Sequence, residues 1–159
     1  AHLATVRPSI RYFDNDRNIN DLANGDTCLA MSWNGNVSIA AAQAAEAGKA
    51  YSLHYRIPKE GTLLWFDAMV IPRDAPNPQA AHALMDHLMQ PEVIAAITNS
   101  TYYANAVPAA NASVDPAILN DPGTYPPQEV RAGLYTKNDN AKAFNRALTR
   151  AFSRLKSGT

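Results

Sequence analysis

The residue types that most often carry catalysis are sparse and scattered in this sequence. The histidines are His2, His54, His82 and His87. His82 and His87 stand five positions apart, roughly 500° of rotation at 3.6 residues per turn, so on a helix they do not share a face. There is no HExxH, no GxSxG, no Walker loop and no glycine-rich dinucleotide fingerprint. The single cysteine, Cys28, lies in the mostly apolar run Thr27-Cys28-Leu29-Ala30-Met31-Ser32-Trp33. A thiol in such a run is expected to be inert packing rather than a nucleophile. Neither an enzyme nor a cofactor or metal site is expected.

A binding constellation is easier to assemble. Trp33 closes its apolar run and opens into Asn34-Gly35-Asn36, and strand ends opening into loops are where α/β sheets hold ligands. Trp65-Phe66-Asp67 sets two aromatics beside a carboxylate in an otherwise apolar run, and a carboxylate buried there is costly unless compensated. Tyr102-Tyr103-Ala104-Asn105 adds aromatics with polar tips. Ring faces attract a cation and cover its methylenes, while a carboxylate accepts its N–H bonds; together they suit an alkylammonium ligand. Each signal also has a plainer reading. Trp33 and Trp65 fit a core, Asp67 fits a salt bridge to Arg73 or a turn cap, and the tyrosines fit ordinary packing.

The elements that must position these residues alternate. Leu3 to Arg11 reads as partly helical and interrupted by Pro8, and Ile19 to Ala23 as a helical turn ended at Asn24-Gly25-Asp26. Thr27 to Trp33 predicts a buried strand, broken by Asn34-Gly35-Asn36. Val37 to Ala47 predicts a helix with Val37, Ala40, Ala41 and Ala44 on one face, closed by Gly48. Tyr51 to Ile57 alternates like a half-buried strand, with Tyr51, Leu53, Tyr55 and Ile57 on one side, and Thr62 to Ile71 is another apolar run. Asn77-Pro78 predicts a helix cap and first turn leading to Gln90, with Ala81, Leu84, Met85 and Leu88 inward. Glu92 to Asn99 is a second short helix, and Asp115-Pro116 opens a helical turn. Asn140 to Lys156 carries the clearest apolar stripe: Phe144, Leu148, Phe152 and Leu155. Alternating strands and helices argue for an α/β layer architecture.

Composition narrows the function classes. The 159 residues carry 14 Lys plus Arg and 14 Asp plus Glu with no basic block, so neither a nucleic-acid groove nor a polybasic membrane patch is expected. At 47% hydrophobic and 18% charged, the chain has material for a core. No apolar run approaches the roughly 20 residues that span a bilayer. One cysteine excludes an internal disulfide. Ala1-His2-Leu3 opens without a positively charged, apolar leader, so an exported chain is expected to be processed or partial.

Several stretches resemble the periplasmic putrescine/spermidine-binding proteins of Gram-negative ABC transporters, within them the putrescine-preferring branch. They are Asn18-Ile19-Asn20 running into Asp21-Leu22-Ala23-Asn24-Gly25-Asp26, then Ile57-Pro58-Lys59-Glu60-Gly61, Phe66-Asp67, Tyr103-Ala104-Asn105-Ala106, Tyr125-Pro126-Pro127 and the ending Lys156-Ser157-Gly158. The resemblance runs in order over essentially the whole chain. It implies a type II periplasmic-binding-protein fold, two α/β lobes closing over a polyamine, in a family roughly twice this length. The chain is then expected to be the C-terminal portion, with parts of both lobes. About 1–57 would be a second-lobe portion, and about 58–159 the hinge crossing, a first-lobe portion and the C-terminal helices.

The resemblance also implies the site. Trp33 matches a tryptophan that stacks on the polyamine, Asp67 a carboxylate for one terminal ammonium, and Tyr103 a pocket tyrosine. Trp65 stands where putrescine binders usually have phenylalanine, and Ser38 where a bulkier aromatic is usual. Asn36 stands where the putrescine branch has aspartate, which removes a charge from ammonium capture and admits a longer polyamine or a ligand with one less basic end. The resemblance pairs Cys28 with an earlier cysteine that this chain lacks. The implied partners are a polyamine, an inner-membrane ABC permease, and the missing N-terminal half or a second copy. The implied location is the periplasm. This half alone is expected to bind weakly or not at all. The rival expectation is a truncated or domain-swapped assembly partner with no ligand binding of its own.

Overall fold

The computed structural model describes residues 2–137 and 140–158; the side chains of His2 and Leu3 lie outside that description. The α-helices are α1 (His2–Val6), α2 (Arg17–Asn24), α3 (Asn34–Glu46), α4 (Pro78–Leu88), α5 (Pro91–Thr101), α6 (Pro116–Leu119), α7 (Gln128–Arg131) and α8 (Lys142–Ser157). Two 3-10 turns, Arg7–Ser9 and Pro108–Ser113, complete the regular structure.

Two small cores organise the chain. In the first, Leu22 and Ala23 of α2 pack on Val37 and Ala40 of α3, with Ile19, Ala30, Leu53 and Tyr55 around them. Gly25 ends α2 in the left-handed region at φ 83°. The Tyr51 hydroxyl donates to the Ala23 carbonyl at 2.6 Å and lies 3.2 Å from the Leu22 carbonyl, tying the segment after α3 to the end of α2. In the second core, Ala95 of α5 meets Ala110, Val114 and Ile118, with Ile94, Tyr102, Val107, Leu119 and Tyr125 around them. The first 3-10 turn meets the last helix: Arg7 donates to the carbonyls of Leu155 and Lys156 at 2.8 and 3.2 Å, a cation at the C-terminal end of α8.

Several expectations need correction. The α/β alternation yields no sheet among the described residues. Their one β pairing is a parallel bridge between Leu63 and Tyr135. The Thr27–Trp33 run forms no strand and is not buried, with Leu29 89% and Met31 99% exposed. An apolar strand of a parallel sheet is covered by neighbouring strands and by helices on both faces, and the described residues supply neither to this run. Asn34-Gly35-Asn36 does not break the chain but forms the first turn of α3. Asn77 makes no side-chain cap bond, and Leu84 faces outward. The α8 stripe is half exposed at Phe144, Leu148 and Phe152, though Phe152 packs edge-on against Phe13 at 5.6 Å.

A candidate cation-binding cage

Trp33 is the residue immediately before α3, in extended conformation (φ −71°, ψ 145°). The helix starts at the next residue, so Trp33 stands three positions ahead of Asn36. The Trp33 and Trp65 rings meet at 6.3 Å between centroids, tilted by 55°. The Trp65 indole Nε1–H donates to Asp67 Oδ1 at 3.0 Å. The period-2 geometry of extended backbone makes this possible, since residues i and i+2 project to the same side.

On the far side, the Tyr103 hydroxyl donates to Asn36 Oδ1 at 3.3 Å. Tyr102 makes this turn possible. It ends α5 at φ 62°, the one non-glycine residue with positive φ among those described. Such a conformation costs a side-chain-bearing residue about 1–2 kcal/mol and marks backbone held by its surroundings. Tyr102 packs into the second core while Tyr103, one residue on, meets α3. Burial pushes the Tyr103 hydroxyl above its ordinary value of 10.0; the Asn36 contact partly offsets this, and the charges of Asp67 and Tyr55 add to it. Asn36 lies three residues after Trp33, in the first turn of α3, which joins the two sides.

All five residues singled out for binding, Trp33, Asn36, Trp65, Asp67 and Tyr103, therefore gather in one place. Two features of the setting differ from expectation. Asp67 is exposed rather than buried and makes no ion pair with Arg73; the one salt bridge among the described residues joins Arg17 to Asp21 at 3.1 Å. Trp33 and Trp65 are 46% and 56% exposed, so neither is core. Cys28 is an exposed free thiol rather than inert packing. His54 pairs with Ser52 at 3.0 Å, and no group of three or more His, Cys, Asp or Glu residues fit to hold a metal occurs among the described residues.

Sequence reasoning missed Gly35. It is buried in the first turn of α3, and a Cβ there would sit 2.5 Å from Tyr103 Cε2 and 2.8 Å from the Thr101 carbonyl oxygen. A side chain at this position would push the Tyr103 ring off Asn36. The residue had read only as part of a turn signal, because close approach by a residue far along the chain leaves no local trace.

A profile of the bacterial extracellular solute-binding protein family matches residues 1–126. The chain belongs to that family. This membership implies the type II periplasmic binding fold, although the described residues form no sheet. The family is one of solute binders rather than enzymes. The chain is 42% identical over 156 residues to the putrescine-binding periplasmic protein of Escherichia coli K12, covering 98% of this chain and 42% of that protein. It is 42% identical over 153 residues to the putrescine-binding periplasmic protein of Pseudomonas aeruginosa UCBPP-PA14, covering 96% and 42%. It is 39% identical over 157 residues to a putrescine/agmatine-binding protein of Pseudomonas aeruginosa PAO1, covering 99% and 43%. The chain thus spans less than half the length of these relatives. No helix among the described residues is long and apolar enough to cross a membrane.

Proposed function

We propose that this chain is the C-terminal portion of the periplasmic solute-binding component of a polyamine ABC transporter. It captures putrescine or a related polyamine between two lobes and delivers it to an inner-membrane permease. The observation that carries this reading is the meeting of Trp33, Asn36, Trp65, Asp67 and Tyr103 from three separate segments. The names of the family relatives support it. Asp67 accepts from a terminal ammonium; Trp65 occupies its Oδ1, and its Oδ2 takes no partner among the described residues. Trp33 and Trp65 cover the methylenes, and Tyr103 and Asn36 close the cage with neutral oxygens.

In this reading residues 1–57 belong to the second lobe, and 58–159 hold the hinge crossing, a first-lobe portion and the C-terminal helices. Trp33 and Asn36 then approach from one lobe and Trp65, Asp67 and Tyr103 from beyond the crossing, so lobe closure assembles the cage and ligand stabilises the closed state. Titrating the chain with putrescine and with spermidine, read by the fluorescence of Trp33 and Trp65, tests the site. The expected result is weak quenching or none, with any saturable response abolished by Asp67→Asn. Micromolar binding by the monomeric chain overturns the reading, because contacts from the rest of the two-lobe protein would then be dispensable.

A second reading rests on exposed apolar surface. Leu29, Met31, Phe66 and Val70 are 89%, 99%, 68% and 82% exposed, on extended segments with unpaired edges. Such segments need cover from the complementary part of the fold or from a second copy, and the chain then acts as an assembly partner with no binding of its own. Light scattering separates the two, because a stable monomer that binds ligand excludes the second.

A further inference from the structure

Asp67 owes its aim to a single neighbour. Residues 65–71 make no backbone hydrogen bond among the described residues. The last ties before them are the Leu64 N–H to the Tyr135 carbonyl at 2.8 Å and the Tyr135 N–H to the Thr62 carbonyl at 3.1 Å. Among the described residues the Asp67 carboxylate forms no ion pair and one hydrogen bond, from the Trp65 indole Nε1–H to Oδ1 at 3.0 Å. A carboxylate turning freely on such a segment would present either oxygen, or both, to a ligand. The indole bond chooses between them: Oδ1 is turned to Trp65 and Oδ2 is left open. Trp65 is in turn set against Trp33, at 6.3 Å between ring centroids. The ring that forms the wall thus also aims the carboxylate.

That choice matters for which cation fits. An alkylammonium is a compact charge with rotatable donors, and a single carboxylate oxygen satisfies one of them fully. A guanidinium is a planar fork whose strength comes from two parallel N–H bonds to both oxygens of a carboxylate. With an N–H already seated on Oδ1, the fork cannot close on Asp67 and keeps one bond of its two. The far side of the cage supplies no substitute. The Tyr103 hydroxyl and Asn36 Oδ1 are neutral and bonded to each other at 3.3 Å. One effect works the other way, because indole faces attract a guanidinium by stacking. Trp33 and Trp65 are 46% and 56% exposed, and stacking on exposed rings is worth less than a charge-assisted hydrogen bond. The lost bond should therefore win.

We infer that Trp65 determines specificity: its indole N–H aims Asp67 and, by occupying Oδ1, selects an alkylammonium end over an alkylguanidinium end. The inference rests on the ammonium site proposed above and names what that site prefers among linear dications.

The test follows the two indole N–H signals of the nitrogen-15-labelled chain by NMR. Without ligand, Asp67→Ala should move the Trp65 signal more than that of Trp33. An unmoved Trp65 signal would mean that the bond is not made, and overturns the inference whatever binds. The chain is then titrated to tens of millimolar with 1,4-diaminobutane and with 1,4-diguanidinobutane, which has the same spacer and no ammonium. The diamine should bind about fivefold more tightly, part of one charge-assisted bond. Trp65→Phe keeps a ring and frees Oδ1, so it should bring the two compounds within about twofold of each other, read on the Trp33 signal. Trp33→Phe removes an indole face but no donor to Asp67, and should leave the preference intact. Both rings are largely exposed, so circular-dichroism melting should show an unchanged fold in each variant. A preference for the diguanidine, or one that Trp65→Phe does not reduce, overturns the selectivity and leaves the ammonium site standing. Failure of both compounds to move either signal also overturns the selectivity alone, since weak binding or none is expected of this chain by itself. Micromolar binding overturns the two-lobe reading instead, with the ratio of the two compounds still deciding the selectivity.

Discussion

The two walls of the cage are held in different ways. The Tyr103 wall stands on a buried, hydrogen-bonded base. Thr98 is 1% exposed, and its hydroxyl accepts from Asn105 Nδ2 at 3.0 Å. Asn105 Oδ1 accepts from the Val107 N–H at 2.9 Å, and the Thr124 hydroxyl donates to Asp121 Oδ2 at 3.1 Å with the Tyr102 carbonyl 3.4 Å away. The Trp65 wall rides on an extended segment tied down by two backbone bonds: Leu64 N–H to the Tyr135 carbonyl at 2.8 Å and Tyr135 N–H to the Thr62 carbonyl at 3.1 Å. One wall is therefore organised in advance, and the other is set by a short strap. Ordering costs on binding fall on the wall with the fewest fixed contacts, so the tryptophan side should govern affinity and the tyrosine side should govern shape.

The strap has one weak point, and breaking it should give the largest effect. Gly61 has φ +86°, and a Cβ there would run into the Gly133 carbonyl oxygen. Gly61→Ala combines left-handed strain with a clash against backbone, and should cost about 3 kcal/mol. Its urea midpoint should drop and the Trp65 emission shift, while α5 amides keep their hydrogen-exchange protection. Equal loss of protection in α5 would show that the two walls are one unit. The reciprocal change is Asn105→Ala. It strips the bonds to Thr98 and the Val107 N–H and should cost about 2 kcal/mol. Here α5 should lose protection first, and the Tyr135 amide should keep its own.

That division also explains what the sequence made legible. Helices with strong local signals lie where expected: the glycine that ends α2, the proline starts of α4 and α5, and the Asp115 cap, whose side chain accepts from the Ala117 N–H at 2.8 Å. The five cage residues could be chosen because aromatic and acidic side chains advertise their chemistry, and a family resemblance placed them. Burial was not legible for the runs around Leu29 and Val70, because burial of a strand depends on chain that must pack beside it. Gly35 was missed for a related reason: it acquires its meaning from the Tyr103 ring, a residue distant in sequence.

Smaller effects sharpen the comparison. Tyr103→Phe removes the bond to Asn36 and should cost no more than about 1 kcal/mol at neutral pH, since the bond is partly exposed. Its pH dependence is more telling. The folded Tyr103 hydroxyl titrates above its unfolded value of 10.0, chiefly through burial, so the stability it contributes is complete below that value and is lost as pH rises through the folded one. Tyr12 and Tyr55 are shifted the same way, again mainly by burial. Urea midpoints between neutral pH and pH above 10 should therefore fall in the native chain and fall less in Tyr103→Phe. An identical fall in both would place the alkaline loss on Tyr12 and Tyr55 alone.

The smallest effect expected is at Met31. A side chain 99% exposed has no contacts to lose, so Met31→Ser should change the stability of a monomer by less than about 0.5 kcal/mol. The number tests the loosely held side directly, because Met31 lies just ahead of Trp33 on the same extended run. A loss several times larger, growing with protein concentration, would mean that a second copy covers the run, and that the tryptophan wall is ordered by assembly before any ligand arrives.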